Sequence, residues 1–220
     1  MRSARPLAII FDCDGVLVDS EMLASRVEAE VARDLGLTLT AEEAHDLFLG
    51  KTVDGVFELI GARAGQPPKP SFVYNWAFAT ARTFVRELQA VAGVRAVIEA
   101  LRARGHALAV ASQSPLARVH LSLEATGLAE LFGEHVYVTS MVTRPKPAPD
   151  IYLLAASRLG AAPADCLVIE DSPAGVAAVL GCGMHAIGYD PGGSSEAMRA
   201  SGGIVIRSMD ELLPRISALR

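Results

Sequence analysis

Long apolar runs are missing from this sequence: nowhere do about 18 apolar residues follow one another, so no membrane-spanning helix is expected. A leader is not expected either. The N-terminal MRSARPLAIIFD starts basic, but its apolar stretch covers only Leu7 to Phe11 before Asp12 interrupts it, too short for the apolar region of a signal peptide. Cysteine is scarce. Cys13, Cys166 and Cys182 match no zinc-ligand spacing, and an odd number without a leader points to reduced thiols in the cytoplasm. They read as small core fillers. Lysine is rare beside arginine, with Lys51, Lys69 and Lys146 as its sole occurrences. An excess of positive charge is also absent. The net charge of -5 argues against general nucleic-acid binding, because nothing would neutralise many phosphates. A single small anionic ligand stays compatible with it, since one local site can oppose the global sign. Internal repeats and low-complexity tracts are absent as well.

What is present is a globular composition, half hydrophobic and one-fifth charged, in a chain long enough for one domain of about 150 residues plus a smaller insert. Short apolar runs, each ending in a polar residue, recur at Leu7–Asp12, Ala107–Ser112, His135–Ser140, Cys166–Asp171, His185–Asp190 and Ile204–Ser208. Continuous apolar runs of this length suit strands buried on both faces. Helical patterns separate most of them, at Val94–Arg104, Ala148–Leu159, Pro173–Leu180 and Asp210–Leu219. This alternation predicts βαβ units and a parallel sheet, an α/β fold.

Residues 19–88 differ. Ser20–Leu35, Thr40–Leu49, Thr52–Ala64 and Ser71–Leu88 carry helical periodicity, and Thr40 with Glu43 forms a capping-box pattern. No good strand lies among them. The expected organisation is therefore a core from residues 1–18 and 89–220, interrupted by an all-helical insert at 19–88.

Chemistry concentrates at the strand ends. Ligands of open parallel sheets bind outside the carboxyl ends of the strands, and Asp12, Ser112 and Asp171 each sit at such an end. In DCDGVLVDSE, Asp12 and Asp14 share a face if extended. Two carboxylates this close repel unless a cation neutralises them or one is protonated, and a hard cation such as Mg2+ suits oxygen ligands. A solvated Asp-rich turn is the alternative. Glu170 and Asp171 form a second acidic pair able to ligate a cation, or Asp171 or Ser172 caps a helix with Pro173 at its first position. Lys146, set between prolines in RPKPAPD, has an ammonium able to bridge a phosphate and a carboxylate; the alternative is a surface loop lysine. The Ser112 hydroxyl and the amides after it suit phosphate oxygens; the alternative is an ordinary turn in which Ser114 caps and Pro115 opens a helix. His45 and His106 read as surface or turn residues, and Trp76 and Phe78 as packing within the helical insert.

Taken together, FDCDGVLVDSE, AVASQS, RPKPAPDIY and VIEDSPAGVAA closely resemble the haloacid dehalogenase-like superfamily, in its phosphatase and phosphomutase branch with a helical cap. The resemblance covers almost the whole chain. It implies a Rossmann-like core with an inserted helical cap domain and a Mg2+-dependent phosphatase acting on a small phosphorylated metabolite, a sugar phosphate or phosphorylated acid, through an aspartyl phosphate. By the same resemblance Asp12 is nucleophile and metal ligand. Asp14 is general acid and base and lends the metal its carbonyl. Ser112 binds phosphate, Lys146 holds nucleophile and phosphate together, Asp171 ligates the metal, and Glu170 stands beside it as a further ligand. Gly50 and Lys51 resemble the cap's substrate loop. Gln113 stands where some members carry asparagine. Asp14 argues against dehalogenase activity, because a leaving halide needs no proton. The absence of histidine from Glu21–Ala24 weakens a sugar phosphomutase reading, which stays as an alternative beside a non-catalytic phosphate-binding module. No nucleic-acid or membrane partner is expected; a cytoplasmic monomer is.

Overall fold

The computed structural model describes residues 7–48, 51, 53–65, 70–193 and 196–219. The chain divides into two compact units, Met1–Val18 with Ala90–Arg220, and Asp19–Gln89.

The first unit is built on a six-stranded sheet of β1 (Ala8–Phe11), β2 (Ala107–Ser112), β3 (Val136–Val138), β4 (Cys166–Glu170), β5 (His185–Tyr189) and β6 (Ile204–Ile206), arranged β3-β2-β1-β4-β5-β6. Every pairing is parallel. The apolar runs explain the placing: each residue of β1 and β4 is buried, as strands covered on both faces require. Side chains alternate between those faces. Ile10 and Val168 join Ile151, Tyr152 and Ala155 of α8 (Asp150–Arg158) and Val176 and Val179 of α9 (Pro173–Gly181) in one core cluster. Phe11, one residue out of step with Ile10, meets Phe132 of the short helix α7 (Ala129–Phe132) edge-on at 6.0 Å. Each such side chain removed from water contributes about 1.5–3 kcal/mol.

The order places β1 between the strand that follows it in the chain, β2, and β4, which arrives much later. The strand order therefore reverses at β1 and β4, the position where an open sheet leaves a crevice at its carboxyl edge. Phe11 is in register with Val110 on one side and Ile169 on the other, so the residues just past all three strands come out at one level. Helices α5 (Val94–Ala103), α6 (Leu116–Ala125), α10 (Glu196–Ala200) and α11 (Leu212–Ala218) complete the unit.

The second unit is all-helical among its described residues, with α1 (Glu21–Arg33), α2 (Ala41–Phe48), α3 (Val53–Ala64) and α4 (Pro70–Glu87). The expected capping box opens α2: the Thr40 amide donates to Glu43 Oε2 at 2.8 Å and the Glu43 amide to Thr40 Oγ1 at 3.1 Å. Val27, Val31, Ala44, Phe48, Val56, Ile60, Phe72 and Trp76 form its core, where Phe57 packs edge-to-face on both Phe72 and Trp76 at 5.3 Å. Trp76 is the packing residue expected, whereas Phe78 is 70% exposed: it lies on the opposite side of α4, two residues and about 200° further round the helix. His106 also departs from the surface reading. It is buried, and its Nδ1 lies 2.8 Å from the Leu7 carbonyl, where it secures the entry to β1. No helix among the described residues is long and apolar enough to cross a membrane.

Candidate active site

Lys146 is the centre of the cluster at the carboxyl edge. Its Nζ donates to Asp12 Oδ1 at 2.6 Å and to Glu170 Oε1 at 2.5 Å, across separations of 134 and 24 residues. The lysine side chain is 5% exposed, against 11% for Asp12 and 1% for Glu170, so water does little to screen these charges. Burial works against the Lys146 ammonium, but the charges of Asp12 and Glu170 outweigh it and hold its pKa well above the ordinary lysine range. Burial pushes the Asp12 carboxyl up to about 7 against the pull of Lys146, with Glu170 and Asp14 adding repulsion. Glu170 moves the other way: burial penalises its charge, yet Lys146 and the hydrogen bonds from Tyr152 and Ser172 hold its carboxyl below the usual range.

Glu170 Oε1 accepts from Lys146 and from the Tyr152 hydroxyl at 2.6 Å, and Oε2 accepts from the Ser172 amide at 3.2 Å and its hydroxyl at 2.8 Å. A carboxylate offers about four acceptor positions, so Glu170 is saturated by protein donors. In this arrangement it anchors Lys146. Ser172 is at once the N-cap of α9, accepting from the Gly175 amide at 3.0 Å with Pro173 in the first turn, so the capping alternative holds for it.

Asp171 approaches the first motif from β4. Gly15 has φ +74°, and a Cβ added there would collide with Asp171 Oδ2. The glycine therefore serves the close approach of the two loops as well as the backbone turn. Asp12 and Asp171 follow the paired strands β1 and β4 at the same edge of the sheet. No group of three acidic, histidine or cysteine side chains able to hold a metal is gathered among the described residues.

The Asp14 side chain has partners that sequence reading missed. Ser114 Oγ donates to its Oδ2 at 2.6 Å and Arg118 Nη2 to its Oδ1 at 3.2 Å. Ser114 accordingly does not cap: α6 opens at Leu116 with Pro115 in the cap position and no side-chain cap bond, because the Ser114 hydroxyl is committed to Asp14. The spacing of four between Ser114 and Arg118, just past a site strand, was the available signal. Ser112 is 1% exposed and its Oγ accepts from the Ser114 amide at 3.0 Å, at the strand level just past Asp12. Gln113 is exposed. Cys13 and Cys166 are buried free thiols, and burial pushes the Cys13 thiol up, as inert core fillers require. In the helical unit Lys51 is exposed and its amide donates to the Phe48 carbonyl at 3.0 Å; Gly50 lies outside the described residues.

Comparison with known proteins adds the context. A family model described as haloacid dehalogenase-like hydrolase matches residues 6–183. Hexitol phosphatase B of Escherichia coli (strain K12) is 33% identical over 185 residues, 82% of this chain and 82% of that protein. The 6-phosphogluconate phosphatase of the same organism is 28% identical over 179 residues, 81% and 80% respectively. Among solved structures, a HAD family hydrolase from Deinococcus radiodurans R1 with bound phosphate and sodium is 36% identical, with a TM-score of 0.80 over 97% of this chain and 96% of that one.

Proposed function

The chain belongs to the haloacid dehalogenase-like hydrolases, and from that premise we propose that it releases phosphate from small phosphate monoesters with Asp12 as the nucleophile. The observation that carries this reading is the Lys146 ammonium bound to both Asp12 and Glu170. A carboxylate cannot approach a phosphate dianion unless the charge between them is opposed. Lys146 supplies one opposing charge and occupies Asp12 Oδ1, which leaves Oδ2 to attack.

A divalent cation fits this site. Asp12 and Asp171 follow the paired strands β1 and β4, and Gly15 leaves the room that the Asp171 carboxylate fills. Hard oxygen donors match Mg2+, which Asp12, Asp171 and the Asp14 carbonyl would hold. Bound there, it would offset the charge of the phosphoryl oxygens.

The chain's own groups then divide the reaction in two. Asp12 Oδ2 bonds to phosphorus as the ester P–O bond breaks, and the leaving oxygen takes a proton from Asp14. A water next gives its proton to Asp14 and attacks phosphorus, releasing phosphate and restoring Asp12. Ser114 and Arg118 set where the Asp14 carboxyl sits, and Ser112 with the following amides grips phosphate oxygens. The Asp19–Gln89 unit is the cap in this reading. Gly50 and Lys51 are proposed as its substrate loop, and the two Escherichia coli relatives suggest a phosphorylated polyol or sugar acid as substrate. A monomeric enzyme of the cytoplasm suits this role.

The test is phosphate release from an aryl phosphate and from a panel of sugar, polyol and sugar-acid phosphates, with Mg2+ supplied. Turnover should depend on the metal, and Asp12→Asn should lower it by about a thousandfold or more. If the wild-type protein releases no phosphate from any ester of the panel, the reading is wrong.

A further inference from the structure

We propose that Tyr152 is a positioning residue, whose hydroxyl holds Glu170 and, through it, the Lys146 ammonium against Asp12. The inference rests on the phosphatase reading for its kinetic consequence, though not for its geometry.

Among the described residues Tyr152 is the largest of the fully buried side chains, 0% exposed on α8. Packing alone would need its ring and nothing more. A phenol buried among Ile151, Ala155, Val168 and Val176 carries a polar group that costs free energy unless it is hydrogen-bonded. That bond goes to the carboxylate that holds Lys146, at 2.6 Å. The same ring lies under the ammonium, with Lys146 Nζ 5.0 Å from its centroid, within cation–π range. Tyr152 therefore touches both members of the pair and no residue of the first motif by these contacts.

A carboxylate with few partners turns about its terminal bond. Glu170 is stopped from turning: the Tyr152 and Lys146 donors share Oε1, and the Ser172 amide and hydroxyl share Oε2. Gly175 completes the seat, since a Cβ there would collide with the Glu170 carboxylate although its backbone is not in the left-handed region. Removing the Tyr152 hydroxyl frees one side of Oε1, draws Lys146 further onto Glu170 and away from Asp12, and so weakens the charge opposing the incoming phosphate. Helix α8 follows the RPKPAP loop directly, so the residue that delivers the cation and the residue that aligns its counter-ion come from one stretch of chain.

The experiment uses Tyr152→Phe, which keeps ring, packing and cation–π contact and deletes only the O–H. The expected result is a fall in kcat of about tenfold with KM changed less than about twofold, and a melting temperature lowered by only about a few degrees. A readout independent of turnover is the Nζ signal of Lys146 in protein labelled with 15N-lysine, identified by its loss in Lys146→Arg. Tyr152→Phe should shift that signal or speed its proton exchange. An unmoved signal overturns the proposal whatever kcat does, and a moved signal with unchanged kcat overturns its catalytic consequence. A wild-type protein that releases no phosphate refutes the hydrolase reading, while the Nζ signal still decides whether Tyr152 holds Lys146.

Discussion

The two units of this chain handle charge in opposite ways. In the sheet unit, Asp12, Lys146 and Glu170 are side chains 11% exposed or less, bonded to one another among fully buried apolar strands. In the helical unit no charged side chain among the described residues is fully buried. Arg26 and Glu87 pair at 2.5 Å with side chains 50% and 45% exposed, and the interior is left to Val27, Val31, Phe48, Phe72 and Trp76. A buried ionic cluster is expensive to assemble and demands full satisfaction of each member. The sheet unit accepts that cost where the chemistry of the site needs charge held in one geometry. The helical unit has an ordinary apolar core.

This contrast can be broken experimentally. Lys146→Met leaves two buried carboxylates without their cation, and it should both abolish phosphate release and lower stability by about 3–5 kcal/mol, measured by urea unfolding of the same preparation. If the loss is below about 1 kcal/mol, the cluster is not the buried, mutually dependent assembly described. Trp76→Ala, an apolar truncation in the helical unit, should cost about 3–5 kcal/mol through the cavity it leaves, without touching the ionic cluster; amide exchange should rise in α1, α3 and α4 and stay unchanged in β1 and β4. Equal loss of protection in the sheet would show that the units do not unfold separately. The smallest effect is expected from Arg26→Ala. Its exposed ion pair should contribute below about 1 kcal/mol and less still in high salt, so a larger, salt-insensitive loss would erase the distinction between the two units.

Local patterns carried much of the architecture. The runs Leu7–Asp12 and Cys166–Asp171 are the two central strands nearly as read, since an apolar run bounded by a polar residue needs no distant information to be a strand. Thr40 with Glu43, and Ser172 with Gly175, close their own hydrogen bonds within a few residues. What failed to be legible is what depends on register between strands. The Ser114 hydroxyl reads as a cap because a cap is the nearest donor's use for it, yet it serves Asp14 from 100 residues away. Glu170 reads as one half of an acidic doublet, but the sheet sends it inward to Lys146 and Tyr152 while Asp171 goes to Gly15. Phe78 and His106 exchange their expected places because a helix face and a strand entry are chosen by what packs against them.

Sequence alone therefore determined the kinds of element and the reactive residue types at the strand ends, because helix and strand periodicity and turn chemistry are short-range properties. Which acid pairs with which base was decided by the order β3-β2-β1-β4-β5-β6, which brings the ends of β1 and β4 together across more than a hundred residues of chain. Charges buried side by side sort themselves by distances of a few ångströms, and no property of a linear string carries distances of that kind.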